Sequence, residues 1–154
     1  MSNAWPLFAH LCGAFLFAGG SLAAAILRVG ATRLTRPSEQ AALLRAVRPA
    51  AAVIGIGLVL TIVAGFWLAE RIDADYGATW LSATFALLVY LLVVGAVAGR
   101  RDRHTRELAE RVAATGDEPT DELTRALRDP LSLALNLSLL VATVAIVALM
   151  VWRP

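Results

Sequence analysis

The sequence predicts an all-α fold, a four-helix transmembrane bundle, and three observations carry that reading. Four stretches, about 5–27, 49–69, 76–99 and 130–152, contain no Asp, Glu, Lys or Arg. Each approaches or exceeds the ~20 residues that an α-helix needs to cross about 30 Å of hydrocarbon. Arginines crowd the first and third connections, whereas Trp5, Trp67, Trp80 and Trp152 all stand at the opposite ends of the stretches. Backbone polar groups in lipid must be satisfied within the segment or a closed barrel, so uninterrupted apolar runs of this length are helical.

The elements follow in order. Span one, 5–27, is preceded by no basic residue and followed by Arg28, so it reads as a retained span and not a cleaved leader. The loop 28–48 sets five arginines against Glu39. Within it, Pro37-Ser38-Glu39-Gln40 predicts the start of a short helix with Leu43, Leu44 and Val47 along one face, and Pro49 suits the first turn of span two. The connection after span two, Glu70-Arg71-Ile72-Asp73-Ala74-Asp75, is short and net acidic. By the positive-inside rule the loops 28–48 and 100–129 are cytoplasmic and both termini lie outside, and the tryptophans then form an outer aromatic belt.

The loop 100–129 is expected to be helical. Asp102/Arg106, Arg103/Glu107, Arg106/Glu110 and Glu107/Arg111 fall at i,i+4, so span three should continue as a charged helix. Ala114-Thr115-Gly116-Asp117-Glu118-Pro119 should break it, a second short helix should begin at Thr120, and Asp129-Pro130 should cap and open span four.

With 58% of its 154 residues hydrophobic, the chain leaves little mass for a soluble domain and reads as one four-span membrane domain over 1–154. All fourteen basic residues are arginine, which with abundant alanine points to a GC-rich bacterial genome and hence to a bacterial cytoplasmic membrane. A pI near 9.3 does not make a nucleic-acid binder. The loop 100–129 carries seven arginines against eight acids, where a nucleic-acid surface needs a patch of one sign. The expected partners are the lipid bilayer and a second copy or another membrane subunit, with no nucleic acid.

Small residues mark where helices can approach. Gly57, Thr61 and Gly65 stand four apart, Gly95 and Gly99 form a GxxxG pair, and Gly13 and Gly20 are two turns apart in span one. Packing within the bundle and homodimerisation use the same signal, and packing within the bundle is the favoured reading. Asn136, two turns into span four, is expected to form an interhelical hydrogen bond. Cys12 is the only cysteine, which excludes an internal disulfide and any cysteine-only metal site.

His10 is the only histidine in any span and the strongest chemical candidate. Neutral imidazole can ligate haem iron or copper, and the competing reading is a histidine bonded to a carbonyl, a headgroup or water. At a comparable depth lie Phe66, Trp67, Thr84 and Met150. Met150 is the only methionine besides the first residue, a weak second ligand candidate for haem or copper, since core packing is the commoner fate of a lone methionine. His104, in the charged extension, reads as solvated. No acid lies within a span, which disfavours a proton-coupled transporter or exporter. No phosphate loop, paired deep carboxylates or nucleophile with a base is present, so the reading leans away from an enzyme.

Three stretches carry a resemblance: His10-Leu11-Cys12-Gly13-Ala14-Phe15-Leu16-Phe17-Ala18-Gly19-Gly20, Ala64-Gly65-Phe66-Trp67-Leu68-Ala69, and the ending Leu149-Met150-Val151-Trp152-Arg153-Pro154. In order and spacing they resemble the bacterial predicted integral membrane proteins of domain-of-unknown-function family 2269. More distantly, the pattern is similar to the HemJ-type protoporphyrinogen oxidases and the copper-resistance D family. The oxidase resemblance implies a haem-associated histidine at His10. Where it implies a lysine in span three, this chain has Thr84, so the oxidase activity does not carry over.

Taken together, the expected function is that of a non-catalytic structural or partner-binding membrane component. A membrane redox protein holding haem b or copper at His10 is the alternative, and a small transporter or channel comes third.

Overall fold

A computed structural model describes residues 4–71 and 77–152, and every element in them is helical. The order is α1 (Ala4–Ala31), α2 (Pro37–Arg71), α3 (Thr79–Thr115), α4 (Asp121–Leu127) and α5 (Pro130–Trp152). Four helices are long and apolar enough to cross a membrane: α1, α2, α3 and the stretch Asp121–Trp152 that ends in α5. Most of the acidic connection after span two, and the terminal Arg153-Pro154, lie outside the described residues.

The chain divides into two compact units, Met1–Gly30 with Leu43–Asp75, and Ala31–Ala42 with Tyr76–Pro154. The first unit is α1 against the greater part of α2. The pair is antiparallel, because contacts descend along α2 as they ascend along α1: His10 meets Thr61 and Gly65, Gly13 meets Thr61 and Gly57, and Gly20 meets Ile54 and Ala50. Side chains such as Phe8, Phe15, Leu22, Ile26, Ile56, Val59 and Val63 remain exposed. A soluble protein rarely leaves so much apolar surface bare, whereas for a chain in lipid the hydrocarbon is the matching solvent.

One expectation of the first loop is corrected. No break separates a short helix from span two, because α2 runs continuously from Pro37 to Arg71 with Pro49 inside it. Proline removes one i→i−4 hydrogen bond and crowds the preceding turn, at a cost of about 3 kcal/mol in a helix interior. Here it stands where the chain passes from its arginine-bearing end into the apolar stretch, and the good helix formers Ala41, Ala42, Leu43, Leu44 and Ala46 precede it.

In the second unit α3 packs against α5 and α4. Its buried residues include Thr84, Leu91, Ala98 and Thr105, each seven after the last, so one straight stripe of α3 is turned inward. As expected, the charged continuation is part of the same helix, and Arg106 Nε lies 4.0 Å from Glu110 Oε1. The helix stops at Thr115, where Gly116 has φ 148° and Asp117 φ 59°, conformations that a helix cannot contain. Thr120 then caps α4, its hydroxyl accepting from Leu123 N at 3.2 Å. Asp129 caps α5: Oδ1 accepts from Leu131 N and Oδ2 from Ser132 N.

Candidate functional site

The site is built where α1 and α2 come closest. A Cβ on Gly13 would stand 2.6 Å from both N and Oγ1 of Thr61 and 2.9 Å from Gly57 O. One on Gly57 would collide with the backbone of Phe17, and one on Gly20 would lie 2.9 Å from Ile54 Cγ1. Hydrogen atoms in place of methyl groups therefore let backbone meet backbone, the geometry in which van der Waals contact holds helices together in lipid.

At the end of this seam sits His10, buried to within 9% of its surface. Its Nδ1 lies 2.9 Å from the carbonyl oxygen of Thr61. A carbonyl only accepts, so Nδ1 carries the proton and donates. The ring fits because position 65 is glycine: a Cβ there would stand 3.1 Å from Nδ1 and 3.2 Å from Cε1. Thr61 Oγ1 donates in turn to Gly57 O at 2.7 Å. With Nδ1 committed, Nε2 is the ring's other nitrogen, and it has no hydrogen-bond partner among the described residues.

The other expected residues are placed less evenly. Gly13, Gly20, Gly57 and Gly65 come together in the first unit. Gly95 and Gly99, on α3, have no atom of the described residues within 4 Å of a would-be Cβ. Asn136 is half-buried, and its Nδ2 donates to Ser132 O one turn back in its own helix at 2.8 Å. Met150 is half-buried near the end of α5, in the second unit. Thr84 is buried, and its hydroxyl donates to Trp80 O. Cys12 is half-buried, and no group of three or more His, Cys, Asp or Glu that could hold a metal occurs among the described residues.

A model of predicted integral membrane proteins, domain-of-unknown-function family 2269, matches residues 7–154. The chain belongs to that family. The match to family 2269 runs from the turn that carries His10 to the last residue. No curated protein and no solved structure matches the chain.

Two polar clasps that the sequence reading did not single out lie in the second unit. Arg101 Nη2 bridges to Asp129 Oδ2 at 2.6 Å, with Ser132 Oγ donating to the same oxygen at 2.8 Å. The Arg101 guanidinium, and after it the Ser132 hydroxyl, hold the Asp129 carboxyl down at about 2 against an ordinary 3.8. The second clasp ties the start of α2 to the loop after α3: Ser38 N donates to Asp117 Oδ1 at 2.6 Å and Ser38 Oγ donates to Oδ2 at 2.7 Å. The hydroxyl bond, followed by the backbone bond, lowers the Asp117 carboxyl below its usual value. The motif signals available were the Asp129-Pro130 cap, and the Gly116-Asp117 turn that aims a carboxylate backwards.

Proposed function

We propose that this member of family 2269 is a non-catalytic component of a bacterial cytoplasmic membrane, with loops 28–48 and 100–129 inside, acting by helix contact with another copy or another membrane subunit. One observation carries the reading: the only histidine in a span is engaged in holding α1 to α2, through Nδ1 on Thr61 O. An interhelical hydrogen bond in a membrane contributes about 0.6–2 kcal/mol, enough to fix the register of a helix pair. The test separates the two ring nitrogens. In His10→Asn the amide nitrogen falls close to the place of Nδ1, and in His10→Gln close to that of Nε2. The structural reading expects His10→Asn to recover most of the thermal stability lost in His10→Ala, measured on the detergent-purified chain, and His10→Gln to recover little. Equal stability of wild type and His10→Ala removes it.

A second reading is favoured by one specific feature. A histidine that ligates a metal almost always donates its other ring N–H to a carbonyl or carboxylate, which orients the ring and fixes the tautomer. His10 has that arrangement, so Nε2 is the atom that would hold haem iron were the group bound. Haem needs one or two such donors, and at this position it would supply one-electron chemistry. Copper fits less well: Cys12, the other soft donor of the first unit, is only two residues from His10 on the same helix, and no group of three or more His, Cys, Asp or Glu gathers there among the described residues. The visible spectrum of the purified protein, oxidised and dithionite-reduced, decides. A Soret band that shifts on reduction and disappears in the still-stable His10→Asn variant establishes haem. A protein that stays colourless after haem is supplied removes it.

A further inference from the structure

Neither reading uses the cavity of about 180 Å³ in the second unit, which Leu34, Gln40, Pro119, Leu123, Leu127 and Arg128 line with others. A single water needs roughly 10–15 Å³ of such space, and drug-sized pockets begin near about 300 Å³. The cavity therefore suits a compact molecule. Its polar groups are specific. Gln40 is only 7% exposed, and its Nε2 donates to Leu34 O at 2.8 Å. Its Oε1 accepts no hydrogen bond from the described residues, yet no fully buried side-chain nitrogen or oxygen among them lacks a partner. Oε1 therefore keeps some exposure, and Gln40 lines the cavity. Arg128, at the C-cap of α4, has no carboxylate partner among the described residues, while the neighbouring Asp129 is taken by Arg101.

These groups dictate the ligand. An amide oxygen only accepts, so the ligand must donate to it. The Arg128 guanidinium, exposed to solvent beside the cavity, is available to a carboxylate, and the three leucines suit a short branched hydrocarbon. A hydroxyl is the donor that adds no second positive charge beside Arg128. We propose that this cavity binds a small α-hydroxy carboxylate, its carboxylate on Arg128, its hydroxyl on Gln40 Oε1 and its alkyl group against Leu34, Leu123 and Leu127.

The probe is α-hydroxyisovalerate, with isovalerate as the analogue lacking the hydroxyl, titrated by calorimetry and saturation-transfer NMR into the full chain in detergent. Saturable binding near about 1 mM is expected for so few heavy atoms. Affinity should fall about tenfold in Arg128→Gln and several-fold for isovalerate. Gln40→Leu should erase the preference between the two acids. If Gln40→Leu does not fold, Arg128→Gln, whose site is exposed, and the pair of acids still decide. The proposal is overturned by no saturable binding up to about 10 mM, by equal affinity in Arg128→Gln, or by equal binding of the two acids.

Discussion

The two units of this chain hold their helices by opposite means. In the first, α1 and α2 meet through absent side chains: Gly13, Gly20, Gly57 and Gly65 clear the way, and one imidazole bonds a backbone carbonyl across the seam. In the second, charged and hydroxyl groups beyond the apolar stretches do the fastening, with Asp129 held by Arg101 and Ser132, and Asp117 held by Ser38. The difference follows from the solvent. Within hydrocarbon a charge is costly and close packing is the main attraction left. At the arginine-bearing ends water lowers that cost, so carboxylates can cap helices and pair with guanidinium groups.

The largest expected effect comes from filling the glycine seam. Gly57→Val places a branched side chain where even a single Cβ meets the Phe17 backbone, and backbone cannot swing away as a flexible side chain can. A loss of about 3 kcal/mol, at the upper end of ordinary overpacking, is expected. Thermal unfolding in detergent measures it. Intact stability would mean that α1 and α2 do not meet along this line. His10→Ala comes next, at roughly 1–2 kcal/mol for the lost interhelical bond and the space left over Gly65. Gly65→Ala should echo it more weakly, because the new methyl group presses on the imidazole at 3.1 Å.

The polar clasps of the second unit respond to pH where the glycine seam does not. The Asp129 carboxyl has a folded value of about 2, below its ordinary 3.8. A carboxyl lowered on folding contributes stability that is fully present above its unfolded value and disappears as pH falls through the folded one. Helix content that melts at α5 should therefore weaken between about pH 4 and pH 2. Asp129→Asn, which keeps a cap but loses the ion pair, should flatten that dependence. Asp117 acts in the same direction, so Ser38→Ala should remove a smaller part of the same acid sensitivity. An unaltered pH profile in Asp129→Asn would count against the clasp.

How much of this the residues declared in advance depends on whether the signal is local. Length and apolarity are local, so the four long helices, the charged continuation of span three, the stop at Gly116-Asp117 and the caps at Thr120 and Asp129 were all readable. The run of α2 through Pro49 was not, since proline reads as a helix start and its tolerance depends on the helix formers before it. His10 announced itself by being ionisable in an apolar run. Its partner did not, because the carbonyl of Thr61 is a backbone group that every residue carries. Depth alone set His10 level with Phe66 and Trp67; the structure places its ring over the adjacent Gly65 and its Nδ1 on Thr61 O, one turn further in.

The smallest effect sharpens the contrast most. Gly95 and Gly99 have the spacing of a packing motif, but nothing among the described residues lies within 4 Å of where their Cβ atoms would be. Glycine in a helix costs conformational entropy that alanine does not, and replacement without strain stabilises by about 0.4–1 kcal/mol in soluble helices. In a membrane helix, where few unfolded conformations compete, the gain should shrink to about 0.5 kcal/mol or less. Gly95→Ala/Gly99→Ala should thus leave the melting temperature of the monomer unchanged or slightly raised, opposite in sign to Gly57→Val. If the double variant were destabilised only at high protein-to-detergent ratio, the two glycines would be serving an interface between copies. Glycine spacing would then mean contact in both units, within the chain in one and between chains in the other.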